Sequence, residues 1–216
     1  MNQRAFIETV PPAEAQGTLR AMYLRQQRAW GYVPNYAKVF CYRPEVMTRW
    51  GQLLAEIKRP MSKRRFELVT FSAAHELCHT ACTLAHGQKL TEFFSEAQIL
   101  AIAEGRLEGV LGEAEQCVVR FARQVARDAS GVGEAEIESL RRHGHSDAEI
   151  FDIAATAAGR AFFTKLLDAL GVTADSAQLD CGEAFREALT VGRAIDEGEC
   201  VKMSVSEPEP IQWESG

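Results

Sequence analysis

The chain has 216 residues, 46% of them apolar and 25% charged, with 24 basic against 30 acidic side chains and a net charge of −6. That composition is ordinary for a globular fold and excludes a collagen-like or wholly disordered chain; the length gives one domain enough residues for a full core. The acidic balance, with no strongly basic block, argues against a nucleic-acid partner bound by phosphate neutralisation.

No apolar run reaches the length of about 18 residues that a membrane span needs. The opening segment MNQRAFIETVPP lacks the apolar stretch of a signal peptide. The expected location is the cytoplasm, without membrane partners. In that reducing compartment Cys41, Cys78, Cys82, Cys117, Cys181 and Cys200 are expected as free thiols rather than a disulfide framework.

Apolar residues recur at spacings of three and four along the chain, and alternating β-branched runs are nearly absent, so the predicted class is all-α. Helices are expected over 13–29, 36–42, 44–58, 63–78, 81–90, 96–105, 113–128, 134–142, 147–170 and 182–190. Pro44 sits at a first helical position, ahead of a stripe of Val46, Trp50, Leu53, Leu54 and Ile57. Ser62 opens a helix-forming run. Ser95 with Gln98, and Ser146 with Glu149, have capping-box spacing. A second stripe joins Cys117, Val118, Phe121 and Val125. A third, rich in small residues, joins Ile150, Ile153, Ala154, Ala157, Ala158, Ala161 and Phe162. Gly144 and Gly171 stand where helices should stop. Residues 1–199 read as one helical domain, and residues 200–216, broken by Pro208 and Pro210, as a polar tail.

Reactive side chains concentrate between Glu67 and His86: His75, Glu76, Cys78, His79 and Cys82 lie between them. Three readings compete. In the first, Cys82 and His86, four apart, share a helical face, and the histidine takes the thiol proton. If a helix restarts near Thr80, its N-terminus also favours a thiolate. In the second, His75-Glu76-Leu77-Cys78-His79 matches H-E-x-x-H, a zinc pattern with Glu76 as base. No third ligand is selected by spacing. In the third, these are buried core residues without chemistry.

At this segment the chain resembles the carboxymuconolactone decarboxylase and alkylhydroperoxidase D superfamily, in its peroxidase-related branch. The resemblance spans roughly residues 20–195. It is carried by Gly31-Tyr32-Val33-Pro34-Asn35, Arg43-Pro44-Glu45, Arg65-Phe66-Glu67-Leu68-Val69-Thr70 and Cys82-Thr83-Leu84-Ala85-His86-Gly87. Gly144-His145-Ser146-Asp147-Ala148-Glu149-Ile150 and Leu167-Asp168-Ala169-Leu170-Gly171 also fit.

The resemblance implies a single-domain multi-helix bundle that assembles as a homo-oligomer, a dimer, trimer or hexamer. It implies a thiol peroxidase acting on a peroxide or a partner disulfide, with no cofactor and no metal. Cys82 matches the family's second cysteine, His86 its histidine and Glu67 its glutamate. His79 occupies the place of the first cysteine, and Cys78 lies one residue too early. On this reading Cys82 attacks, His86 is its base, Glu67 orients His86, Cys78 is the candidate resolving thiol and His79 a local electrostatic helper. The partners are a small-molecule substrate or a thiol reductant.

The alternative within the resemblance is a non-redox member that uses Glu67 and His86 as acid and base on a small organic acid or lactone. A zinc hydrolase stands third and a non-catalytic helical interaction protein fourth. Helix spacing adds one requirement. On a continuous helix Glu67 would sit about 22 Å from Cys82, so the site that the resemblance implies exists only if the chain breaks and folds back between Cys78 and Cys82, with Thr80 or His79 as the new cap.

Overall fold

The structure, a computed structural model, describes residues 5–203. Among them are ten α-helices: α1 (Gly17–Trp30), α2 (Asn35–Lys38), α3 (Pro44–Lys58), α4 (Lys63–Glu76), α5 (Thr80–Leu90), α6 (Glu96–Ala103), α7 (Glu113–Asp128), α8 (Glu134–Arg142), α9 (Asp147–Ala169) and α10 (Glu183–Leu189). An isolated parallel bridge joins Ala174 and Ile195, and no strand occurs among the described residues. The all-α expectation holds, and none of these helices is long and apolar enough to cross a membrane.

Local chemistry sets the ends. Gly31 terminates α1 at φ +82°, a conformation that costs glycine nothing. The Ser62 hydroxyl accepts the Arg65 N–H at the start of α4, and capping boxes open α6 at Ser95/Gln98 and α9 at Ser146/Glu149. An ion pair between Arg65 and Glu149 (2.6 Å) ties the first turn of α4 to that of α9.

The centre of the molecule is α4. Nine consecutive residues, Phe66–Ala74, are buried, because α5, α7 and α9 all pack against it. A helix covered on every side has no face for solvated charge, so the buried polar residues within it, Glu67, Thr70 and Ser72, need partners or a task.

Two predicted stripes turn in a different direction from that expected. On α3 the inward residues are Met47 and Trp50, while Val46 and Leu53 are exposed. On α9 the face follows Ile150, Ile153, Ala157, Arg160, Thr164 and Leu167 inward, and Ala158 and Phe162 point out. Residues 200–203 also depart from the expected tail. The Val33 N–H donates to the Val201 carbonyl (2.9 Å), and Met203 is buried in the core. The rest of that tail lies outside the described residues.

The segment after α10 crosses the α4–α5 turn. The Gly192 N–H donates to Thr80 Oγ1 (2.9 Å), and a Cβ at Gly192 would overlap the Cys78 carbonyl oxygen. Gly192→Ala is therefore expected to lift this segment from the turn, at a cost of roughly 1–3 kcal/mol. Limited proteolysis checks this, with faster cleavage between residues 190 and 203 in the variant.

Candidate functional site

The site begins with the break between α4 and α5. The chain has no glycine or proline there. Instead Cys78 takes a left-handed conformation (φ +53°), which costs a non-glycine residue about 1–2 kcal/mol. Backbone bonds hold it: the Cys78 N–H donates to His75 and the His79 N–H to Ala74 (2.9 and 3.1 Å). His79 then returns to extended backbone and caps α5, its Nδ1 accepting the Cys82 N–H at 3.2 Å. The expected break is present, with His79 as the cap. The fold-back lays α5 along α4 and brings Glu67 against His86, 19 positions later in sequence.

From that contact a chain of hydrogen bonds runs to the thiol. His86 Nδ1 donates to Glu67 Oε2 (2.5 Å). Arg160, from α9, donates through Nη2 to His86 Nε2 (3.1 Å) and through Nη1 to Cys82 Sγ (3.3 Å). Both histidine nitrogens are thus engaged, Nδ1 as donor and Nε2 as acceptor, which fixes a neutral imidazole. All four side chains are buried: Glu67 is 1% exposed, Arg160 6%, and Cys82 and His86 7% each.

The charges follow from these contacts. Burial pushes the Cys82 thiol up, but His79 and Arg160 outweigh it by charge and hydrogen bonding and bring the pKa down to about 7. Cys82 also lies in the first turn of α5, where the helix dipole favours an anion. Burial, together with the charge of Arg160, drives His86 down to about 4, against the opposing pull of Glu67. Burial alone would raise Glu67; the bond from His86 reverses this and keeps it ionised. For His79, burial acts downward and the adjacent Cys82 sulfur more than compensates, so its pKa is raised. As the cap acceptor, His79 Nδ1 carries no proton; the charge by which His79 favours the thiolate arises only when that nitrogen takes a proton and gives up the cap bond to the Cys82 N–H.

Cys82 opens into a cavity of about 340 Å³. Trp30, Tyr32, Tyr36, Trp50, Phe66 and Phe163 wall it, and Lys58 and Lys89 stand among its lining residues. The N-terminal aromatics divide between the core and this cavity. Tyr23 is fully buried in the core, whereas Trp30, Tyr32, Tyr36 and Trp50 form the cavity wall.

The structure therefore assembles Glu67, His79, Cys82 and His86 in one place and leaves Cys78 outside it. Cys78 is exposed and absent from the cavity lining, and no second cysteine shares that cavity. His86 does not contact Cys82 through a hydrogen bond; Arg160 stands between them. The zinc reading fails on geometry. The helix ends at Glu76, so His75 and His79 do not share a helical face. His75 packs on Phe71, and Glu76 pairs with Arg127 (2.8 Å). No cluster of three His, Cys, Asp or Glu suited to a metal occurs among the described residues.

No family profile matches the chain, and no curated protein does. Solved structures do. An alkylhydroperoxidase AhpD core, an uncharacterized peroxidase-related protein from Ralstonia eutropha JMP134, is 20% identical with a TM-score of 0.70, covering 89% of this chain and 100% of that one. An uncharacterized peroxidase-related protein from Silicibacter sp. TM1040 is 18% identical with a TM-score of 0.65, over 80% of this chain and 92% of its own. The debrominase Bmp8, in complex with 2,3,4-tribromopyrrole as a cysteine-to-alanine variant, is 15% identical with a TM-score of 0.67, over 84% and 95%. At these identities the likeness shows the fold: the chain has the alkylhydroperoxidase D-like all-helical fold.

Proposed function

We propose that this protein is a one-cysteine thiol enzyme that reduces a small organic peroxide at Cys82. The observation that supports it most is the placement of Cys82, in the first turn of α5, bonded by Arg160 and open to an aromatic-walled cavity. Arg160 and His79 stabilise the thiolate, and the Glu67–His86 pair holds Arg160 in place. The similarity to peroxidase-related folds agrees with this reading. The Bmp8 complex, with a bromopyrrole, is a precedent for a small apolar ring on this fold.

The step balances without a cofactor. The thiolate sulfur attacks the distal peroxide oxygen; an S–O bond forms as the O–O bond breaks. The departing alkoxide leaves as an alcohol after taking a proton, and Cys82 becomes a sulfenic acid. One external thiol condenses with it, releasing water and forming a mixed disulfide. A second thiol restores Cys82 and leaves as the oxidised disulfide. His79, where the resemblance expects a first cysteine, makes the external thiol necessary.

Consumption of cumene hydroperoxide in the presence of dithiothreitol tests the proposal. The parent and Cys78→Ser are expected to turn over alike, and Cys82→Ser not at all. Loss of turnover in Cys78→Ser would reinstate Cys78 as the resolving thiol. Turnover in Cys82→Ser would end the proposal.

A further inference from the structure

We infer that the Cys82 cavity selects anionic ligands: molecules with an apolar, preferably aromatic body whose carboxylate or similar group meets Lys58 and Lys89 at the mouth. This rests on the reading of the cavity as the working site and adds a ligand class to it. Lys58 and Lys89 come from different helices, α3 and α5, and converge on the same opening. Each ammonium is held over an aromatic ring of the wall. Lys58 Nζ lies 5.0 Å from the Phe66 centroid and Lys89 Nζ 5.5 Å from that of Trp30, within the range of a cation–π contact. They are fixed at the rim and not simply extended into water.

Neither lysine is tied up in an ion pair. In a chain of net charge −6, the cations Arg59, Lys63, Arg64, Arg65, Arg127 and Arg141 each pair with a carboxylate. Lys58 and Lys89 make no such pair among the described residues. Two carboxylates offset part of their charge without forming an ion pair with either lysine: Glu67, bonded to His86, acts on both electrostatically, and Asp175, in the cavity lining, accepts the Asn35 N–H (2.9 Å). Arg160, at the Cys82 sulfur, is matched to the thiolate there, which leaves the two lysines as the cations open to a ligand. Low-dielectric aromatic walls focus such a field into the cavity. Apolar walls with a few placed charges are the composition of a small-molecule site. The two lysines at the mouth would draw an anion in with its apolar body against Trp30 and Trp50.

Calorimetric titration of the full-length protein with 1-naphthoate and with the neutral 1-naphthalenemethanol tests this at low ionic strength. The carboxylate is expected to bind at least about tenfold more tightly, and half-molar salt to erode that preference. In the double variant Lys58→Met, Lys89→Met, which keeps the apolar stems, the two affinities are expected to come within about twofold. Equal binding in the parent, binding of neither compound, or a preference that survives in the double variant would each overturn the inference. Protection of Cys82 from iodoacetamide by bound 1-naphthoate places the ligand in this cavity; binding without protection would place it elsewhere and overturn the inference too. If Cys82 itself proves unreactive, the thiol-enzyme reading fails alone, because the calorimetric preference does not depend on the thiol.

Discussion

Arg160→Met is expected to move the pH midpoint for alkylation of Cys82 up by one to two units from its parent value near 7. Arg160 donates a charge-assisted hydrogen bond to the Cys82 sulfur at 3.3 Å, and such bonds contribute about 1.5–3 kcal/mol. At about 1.4 kcal/mol for each pKa unit, the loss corresponds to that shift. Burial, which already opposes ionisation of this thiol, remains in the variant. The rate at pH 6 falls less than the thiolate fraction does, because a more basic thiolate is a better nucleophile, with a Brønsted slope near 0.4–0.5. The net decrease is roughly threefold for a one-unit shift and roughly tenfold for a two-unit shift. The alkylation rate of Cys82 over pH 5–10, read by peptide mass spectrometry, checks it. An unchanged midpoint would leave His79 as the dominant group.

The second large effect is on stability. His86 is held at about 4 in the fold against an ordinary 6.5, first by burial and then by Arg160. Between these values the unfolded chain binds the extra proton and the folded chain does not. Stability therefore falls as pH drops from about 6.5 to 4, by on the order of 3 kcal/mol across the window. Glu67, whose folded pKa is lowered, acts in the same direction at lower pH. Its contribution is present above the ordinary carboxylate range and is lost as pH falls through its folded value. Urea unfolding at pH 7.5 and pH 5 is expected to give a clearly lower midpoint at pH 5 for the parent. His86→Gln should be less stable at pH 7.5 and should change less between the two conditions. Equal sensitivity to acid in both proteins would contradict the neutral, doubly bonded imidazole.

Much of this arrangement is legible in the sequence because it rests on local chemistry. The helix starts follow from Pro44, Ser62, Ser95 and Ser146; the α4–α5 break has no glycine or proline to mark it and follows only from what the family resemblance asks of Glu67 and Cys82. Arg160 is harder to see, although a signal for it exists. The inward face of α9 begins at Ile150, Ile153 and Ala157, and the same alternation of three and four leads to Arg160, Thr164 and Leu167. An arginine on a core stripe requires a buried partner; following small apolar residues to Ala158 and Phe162 instead loses the register. The cavity wall is illegible for a different reason. Trp30, Tyr36 and Trp50 carry no spacing that distinguishes a wall from a core or an interface. Their role depends on the placement of α3 and α9, which local sequence does not encode. The αL turn at Cys78 is likewise set by tertiary contacts, since the residue type argues against it.

The proposed function requires Cys82 to be a thiolate prepared for attack. The most direct measurement is the pH dependence of iodoacetamide labelling of all six cysteines in the intact parent protein. A midpoint near pH 7 is expected at Cys82, with labelling there at neutral pH faster than at Cys41 or Cys117. A Cys82 midpoint at or above about 8.5, the value of an unperturbed cysteine, with no advantage over Cys117 at pH 7, would contradict it.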